Sequence, residues 1–236
     1  MTPSFWDRNQ LKLAPVFFLG PAFVLFFIYV IYPIFASLRI SFYEWDGYGD
    51  MTWLGFGNYI EMWHDDRVHV AFKNNLLWLV FFLLAPPLSL GLGIFLNQGF
   101  KELRFIKSLF FFPFVISPVV VGIIFSWFYN PKYGLLDSFL VGAGLESVAL
   151  LSNEDLVSFG IIIAAMWPQV AYCLILYMTG LAGLNQEMIE AGRIDGAKGL
   201  AMFWNIILPQ LKPATFIAVV VSVLGALRSY DLIAIM

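Results

Sequence analysis

The sequence predicts an all-α fold, a polytopic membrane protein built from transmembrane helices. Apolar and aromatic residues (Ala, Val, Ile, Leu, Met, Phe, Trp, Tyr and Cys) make up 61% of the 236 residues, and charged residues only 12%. Soluble domains have about 45–50% apolar and about 25% charged residues, so much of this apolar surface must face lipid. This composition, with a net charge of −3 and one cysteine, excludes a disordered chain, a disulfide scaffold and a basic nucleic-acid-binding protein.

Long apolar runs locate the individual helices, because about 20 apolar residues span a bilayer core. We predict five transmembrane helices in a single domain that covers residues 1–236. Their approximate bounds are residues 16–38, 76–96, 108–128, 156–181 and 212–230.

Basic residues near the helix ends predict the orientation. Eight of them lie in the N-terminal segment and in the loops after the second and fourth helices: Arg8, Lys12, Lys101, Arg104, Lys107, Arg193, Lys198 and Lys212. The loops after the first and third helices are acidic instead. The positive-inside rule therefore places the N-terminus in the cytoplasm. Five helices then leave the C-terminus outside, and we expect a further return helix beyond Met236.

The segment between the fourth and fifth helices, residues 183–210, is too long for a simple connection and predicts a helical hairpin. Asn185 can cap a first helix that carries Glu187 and Glu190 near its positive end. Small, apolar and acidic residues recur at helical spacing along one face of that helix: Met188, Ala191, Gly192 and Asp195. Gly196 permits a turn with positive φ.

A second short helix over about residues 197–207 should follow and stop before Pro209. Two simpler interpretations compete with a functional hairpin. An amphipathic hairpin could lie on the membrane surface, with Met202 and Trp204 in the interface. The spacing Gly192-x-x-x-Gly196 could also be a transmembrane packing motif, although it lies in a charged stretch.

The order of residues in this hairpin resembles the EAA signature of ABC importer permeases. The matching residues are Glu190-Ala191-Gly192-x-x-x-Gly196, then nine residues, then Ile206-x-Leu208-Pro209. The match departs from the signature at Gly192, where alanine is commoner. The surrounding residues 189–209 resemble the carbohydrate branch. Phe112-Pro113 and the string Phe128-Tyr129-Asn130-Pro131-x-Tyr133-Gly134 are typical of MalF-like permeases.

This resemblance implies a non-enzymatic permease subunit in the bacterial-type inner membrane, with a six-helix core that lacks its last helix here. It implies three kinds of partner besides the lipid bilayer, none of them a nucleic acid. They are a second permease subunit, two cytoplasmic ATPase subunits, and an extracytoplasmic solute-binding protein. No cofactor is expected in this chain, because it has no GxxxxGK[ST] loop and ATP would bind to the partner subunits.

The resemblance also implies which residues couple this chain to the ATPase. The expected coupling residues are Glu187, Glu190, Ala191, Gly192, Asp195, Gly196, Leu208 and Pro209. In this hypothesis Ala191 and Gly192 allow close approach of the partner, and Glu190 and Asp195 provide charged hydrogen bonds. Gly196 sets the angle to the second helix.

Polar and aromatic residues inside the apolar helices are the candidates for a substrate path, because polar groups in lipid are costly. They are Ser117, Trp167, Gln169, Tyr172 and Ser222. A sugar site needs groups that bind hydroxyls together with aromatic faces. The alternative is that these residues form interhelical hydrogen bonds or an aromatic belt at the interface. We expect Arg228 and Asp231 to form a local ion pair.

Several alternatives stay open. A related importer for a polyamine or glycerol phosphate is the nearest, and a carrier that works alone is less favoured. A membrane-embedded enzyme or a metal site is disfavoured, because both histidines, His64 and His69, lie in one outer loop and Cys173 lies in an apolar run. That aromatic and acidic loop, residues 42–69, could contact a binding protein or lipid headgroups.

Overall fold

A computed structural model describes the backbone of residues 5–97 and 103–236, and the side chains of residues 14–97 and 105–236. Lys101 lies outside the described residues, and so do the side chains of Arg8, Lys12 and Arg104. The chain divides into two compact units, Met1–Val70 and Ala71–Met236, and each is described by itself.

The first unit begins with a long apolar helical segment. Helix α1 (Phe5–Phe26) continues through a π-helical turn (Phe27–Ile31) into α2 (Tyr32–Ile40). The widened turn lies directly before Pro33, which has no N–H to donate to the helical ladder. The span Ala14–Ile40 has a mean hydropathy of 2.3, and none of its most apolar window is buried. This surface therefore suits lipid or another protein.

The loop after this segment is folded. Strand β1 (Tyr43–Glu44) pairs antiparallel with β2 (Thr52–Trp53), and α3 (Gly57–His64) follows. The side-chain amide of Asn58 donates to the carbonyls of Ser41 at 3.0 Å and of Tyr43 at 2.9 Å. These bonds tie α3 to the chain that enters the strands. Helix α4 (Asp66–Leu96) then starts ten residues before the predicted second helix.

The second unit is organised around one helix, α8 (Val157–Ala182), which has more buried residues than any other described helix. Helices α5 (Leu103–Val115), α6 (Pro118–Phe128), α12 (Lys212–Leu227) and α13 (Tyr230–Ile235) pack against it. Helix α7 (Leu135–Gly142) and a 3₁₀ turn (Leu150–Ser152) lie between α6 and α8.

Small residues let these helices approach closely, as expected in membranes. A Cβ atom at Gly93 of α4 would lie 3.4–3.6 Å from side chains of α8, and one at Gly180 would lie 3.0 Å from Leu211. The hydroxyl of Ser89 donates to the carbonyl of Val170 at 2.9 Å, which joins α4 to α8.

Four helical segments in the described part of the chain are long and apolar enough to cross a membrane: Ala14–Ile40, Asp66–Leu96, Val157–Ala182 and Lys212–Ile235. The bent pair Phe105–Val115 and Pro118–Phe128 makes a fifth if it is a single span. The predicted all-α, polytopic fold is confirmed.

The structure differs from the sequence prediction within the third helix, which was expected to be continuous over residues 108–128. It divides into α5 and α6, which are bent by 105° relative to each other. Ser117 is extended (φ −66°, ψ 149°), and its hydroxyl caps α6 by accepting the N–H of Val120 at 3.4 Å. Pro118 disfavours the helical conformation for the residue before it and has no N–H, so the break falls there.

Candidate functional sites, a helical hairpin and an intramembrane cavity

The segment between α8 and α12 is a helical hairpin. It contains α9 (Gln186–Ile194), α10 (Gly199–Met202), a π-helical turn (Phe203–Ile207) and α11 (Leu208–Gln210). Asn185 is the N-cap of α9, and its side-chain oxygen accepts the N–H groups of Glu187 at 2.8 Å and Met188 at 3.3 Å. A cap of this kind contributes about 1 kcal/mol to helix stability.

Helix α9 ends in a Schellman motif. Gly196 has a φ of +85°. The N–H of Ala197 donates to the carbonyl of Gly192 at 2.8 Å, and the N–H of Gly196 donates to the carbonyl of Arg193 at 3.1 Å. This paired arrangement requires the left-handed conformation that glycine adopts without strain. Asp195, the C-cap residue, is exposed at the tip of the hairpin.

One side of α9 is closed by the rest of the hairpin. Ile189 and Gly192 are buried, and Gly192 faces Met202 and Ile206. A Cβ atom at Gly192 would overlap Cδ1 of Ile206 and lie 3.6 Å from Cε of Met202. The small residue at position 192 therefore lets the side chain of Ile206 pack against α9 inside the hairpin itself.

The other side of α9 is exposed, and we call it the docking face. It consists of Glu187, Met188, Glu190, Ala191 and Ile194. Met188 is 51% exposed and Ile194 is 87% exposed. The remaining coupling candidates lie on the return of the hairpin, where Leu208 is half-buried and Pro209 is exposed.

A cavity of about 390 Å³ lies between α4, α5, α8 and the end of α12. Gln169 and Tyr172, two of the predicted path residues, both line it. Its walls include the aromatic rings of Trp78, Phe82 and Phe114. The ring of Tyr172 stacks on Phe114 with 5.2 Å between centroids and 29° between planes. Aromatic faces and hydrogen-bonding groups therefore meet at one place in the bundle.

Ser222 lies behind this cavity and holds Gln169 in place. The side-chain N–H of Gln169 donates to the hydroxyl of Ser222 at 2.9 Å, and Ser222 is fully buried. The sulfur of Cys173 lies 3.7 Å from both partners. The hydrogen bond between Gln169 and Ser222 joins α8 to α12. It uses the amide N–H of Gln169, so the carbonyl oxygen of this side chain can accept a different hydrogen bond.

The other two path candidates are located elsewhere. Trp167 lines a second, apolar cavity of about 720 Å³ between α4, α5, α6 and α8, and packs edge-to-face against Phe125 at 5.7 Å. Ser117 is the N-cap of α6. Neither residue lines the cavity around Gln169 and Tyr172.

Sequence reasoning missed other residues of the site. The sequence does not reveal Trp78 and Phe82 of α4 as cavity residues, because aromatic residues in an apolar helix give no signal of what they face. Arg228 and Asp231 both line the cavity. No ion pair joins these two described residues, so the expected local pair is wrong. Both residues are exposed.

The string that begins at Phe128 forms a compact connection at the end of α6. The hydroxyl of Tyr129 donates to the carbonyl of Gly160 at 3.1 Å, and burial raises the pKa of Tyr129 to about 12. This hydroxyl is neutral near neutral pH, as that of an unperturbed tyrosine also is. The side-chain oxygen of Asn130 accepts the N–H of Lys132 at 3.0 Å, and a Cβ at Gly134 would overlap the backbone of Asn130.

Apolar helices surround a partly polar cavity, and a charged hairpin joins two of them, an arrangement that fits a membrane transport subunit. Residues 85–236 match the family of binding-protein-dependent transport system inner membrane components. The chain belongs to this family. It is therefore a multi-pass inner-membrane permease component of an ABC importer, a class of transporter that works with a binding protein.

Individual relatives support this assignment. The probable ABC transporter permease protein YurN of Bacillus subtilis (strain 168) is 33% identical over 230 residues, covering 94% of this chain and 78% of YurN. The arabinooligosaccharides transport system permease protein AraP of the same organism is 30% identical, covering 93% of this chain and 71% of AraP.

Solved structures share the fold. The crystal structure of a bacterial ABC transporter that imports the acidic polysaccharide alginate matches with a TM-score of 0.78 and 22% identity. The match covers 98% of this chain and 78% of that one.

Proposed function

We propose that this chain is the permease subunit of a sugar importer whose hairpin receives movement from a separate ATPase. A second permease subunit would complete the pathway, two ATPase subunits would bind ATP, and a binding protein would deliver the sugar from outside. The observation that carries the proposal is the docking face of α9, which is exposed while the opposite side of α9 is closed by its own hairpin.

The chemistry of the docking face favours a protein partner. Met188 and Ile194 are large apolar residues that stay exposed on an otherwise charged helix, which indicates an interface. Glu187 and Glu190 provide acceptors for basic side chains of a partner. An anionic membrane surface would repel these carboxylates. A protein cleft with an apolar floor and a basic rim therefore suits the face better than lipid.

The distribution of basic residues supports the required orientation. With the N-terminus in the cytoplasm, the connection between α8 and α12 is also cytoplasmic, on the side where ATP is available. Arg193, Lys198 and Lys212 in and beside the hairpin agree with this placement.

The hairpin is positioned to pass movement to the cavity. It is continuous in sequence with α8 and α12, which pack against each other along the bundle. Gln169 of α8 and Val221 of α12 both line the 390 Å³ cavity. A displacement of the hairpin that shifts α8 relative to α12 would change access to this cavity, a rigid-body switch between two states.

The cavity suits a sugar more than the alternative solutes. Sugar recognition uses aromatic faces together with hydrogen-bonding groups, and Tyr172, Phe114 and Gln169 provide both. A polyamine would require several carboxylates and a glycerol phosphate several basic groups. The cavity has one of each, Asp231 and Arg228. The name of the arabinooligosaccharides permease AraP agrees with this choice, whereas two UgpA relatives that are 28% identical are named for sn-glycerol-3-phosphate.

Crosslinking in the complete complex tests the ATPase contact. The only native cysteine, Cys173, is buried, so an Ile194→Cys variant provides one reactive exposed thiol. We expect it to crosslink to an ATPase subunit in inner-membrane vesicles. The control is Glu146→Cys, which is exposed in the loop between α7 and α8 and should react only with reagents added from outside. Reaction of Ile194→Cys from outside alone would contradict the proposal.

Ligand binding to the associated binding protein tests the solute. The complex is purified with its binding protein, and calorimetry compares an arabino-oligosaccharide, glycerol 3-phosphate and a polyamine. We expect binding of the oligosaccharide class. Binding of only glycerol phosphate or only the polyamine would reject the sugar assignment and leave the ATPase contact standing.

A further inference from the structure

Gln210 joins the two ends of the hairpin through its side chain. Its carbonyl oxygen accepts the backbone N–H of Asn185 at 2.8 Å, across 25 residues of sequence. Its amide N–H donates to the carbonyl of Ile206 at 3.1 Å. Gln210 is partly buried and directly precedes the fully buried Leu211 at the start of α12.

The first of these bonds completes the N-terminal cap of α9. In a capping box, the third helical residue is Glu or Gln and its side chain accepts the N–H of the N-cap residue. The third residue of α9 is Met188, which cannot do this. Gln210 takes that role from the far end of the hairpin, so the cap of α9 depends on the position of α11.

The second bond fixes the Gln210 side chain to the part of the hairpin that packs on α9. Ile206, whose carbonyl accepts from Gln210, is also the residue whose side chain fills the space over Gly192. Helix α9 is therefore attached at two separate points, at its start through Gln210 and at its middle through Ile206.

The start of α12 is itself firmly packed. Leu211 is fully buried, and its Cδ2 would lie 3.0 Å from a Cβ at Gly180 of α8. A force applied to α9 can thus reach α12 through Gln210 over a short, packed path.

We propose that Gln210 is a positioning residue that makes α9 and the start of α12 move as one body. This inference rests on the proposed contact of α9 with an ATPase. Gln210 itself touches neither the ATPase nor the solute. Its loss should leave docking intact and reduce the amount of solute moved for each ATP hydrolysed.

Two substitutions distinguish the effect of the Gln210 hydrogen bonds from the effect of having a side chain of similar size at position 210. Gln210→Leu keeps the approximate size but removes both hydrogen bonds. Gln210→Glu keeps the acceptor for the N–H of Asn185 and loses only the donation to Ile206, so it isolates the bond to Asn185. In the complete transporter in proteoliposomes, we expect Gln210→Leu to lower the transport-to-ATPase ratio about fivefold or more, a common size for coupling between sites. The transport-to-ATPase ratio of Gln210→Glu should stay within about twofold of the ratio of the unchanged protein.

The crosslink from Ile194→Cys keeps the two proposals distinguishable. No crosslink in the otherwise unchanged protein rejects the ATPase contact. If Gln210→Leu leaves both the crosslink and the transport-to-ATPase ratio unchanged, the proposed role of Gln210 is wrong. The role is also wrong if Gln210→Glu lowers that ratio as much as Gln210→Leu does.

If the Gln210→Leu variant does not assemble into the transporter, hydrogen exchange of the backbone amide of Asn185 tests the hydrogen bond to Gln210 instead. We expect protection of this amide in the unchanged protein and in Gln210→Glu. Rapid exchange in the unchanged protein would overturn the inference.

Discussion

The hairpin and the cavity are built in different ways. The hairpin is held by contacts among residues of one short segment, such as the cap at Asn185 and the turn at Gly196. The cavity depends on side chains from four helices far apart in sequence, such as Phe82, Gln169 and Ser222. Local patterns can therefore specify the hairpin, whereas the cavity exists only after the bundle has packed.

The largest expected effect is at Gly192. We expect Gly192→Leu to destabilise the hairpin by about 1–3 kcal/mol, because the added side chain would overlap Ile206. Thermal unfolding and the Ile194→Cys crosslink measure it. The matched control is Ala191→Leu on the exposed side, which should keep its unfolding temperature and lose the crosslink instead. Equal destabilisation of both variants would contradict the packing assigned to Gly192.

The next effect concerns the cavity. Gln169→Leu removes a hydrogen-bonding group from its wall, and we expect solute transport to fall about two- to tenfold, the worth of one hydrogen bond. Uptake in proteoliposomes measures this fall. Trp167→Phe is the control, since Trp167 lines the apolar cavity and its change should alter transport by less than about twofold, the lower limit for the loss of one hydrogen bond. A larger loss in the Trp167 variant would place the solute in the other cavity.

A similar but purely structural effect is expected at the helix cap. Asn185→Ala should destabilise α9 by about 1 kcal/mol, because two backbone N–H groups lose their acceptor. Asn185→Asp keeps that acceptor and should restore stability. Hydrogen exchange of the Glu187 and Met188 amides is the measurement, and unchanged exchange in Asn185→Ala would show that the cap is dispensable.

The smallest effect is expected at Ser222. Ser222→Ala removes the partner of the Gln169 amide, and interhelical hydrogen bonds in membranes contribute about 0.6 kcal/mol on average. Denaturant unfolding in detergent should show this small loss, with transport reduced less than in Gln169→Leu. A transport defect as large as that of Gln169→Leu would mean that Ser222 acts as more than a support.

Sequence reasoning located the hairpin elements with good accuracy. Asn185 as the cap and Gly196 as the turn follow from local rules, because their side-chain and backbone preferences act within a few residues. Sequence reasoning also predicts that Gly192 lies at the contact with the ATPase. In the structure, Gly192 is buried inside the hairpin against Ile206. The residue that it faces, Ile206, is fourteen positions away, and no local rule specifies that pairing.

The path candidates show the same limit. All five were chosen as polar or aromatic residues in apolar helices, yet only Gln169 and Tyr172 line the same cavity. The direction in which each side chain points depends on how α8 rotates against α5 and α12. The break at Ser117 and Pro118 changes that arrangement by turning α6 away from α5.

By itself, the sequence determined the membrane environment, the all-α polytopic fold and the caps of α9, because composition and short-range backbone chemistry decide these. Only the tertiary structure decided the 105° bend, the cavity beside Gln169 and the bond from Gln210 to Asn185. The physical reason is that packing and hydrogen bonds between distant segments depend on helix positions, which no single segment specifies.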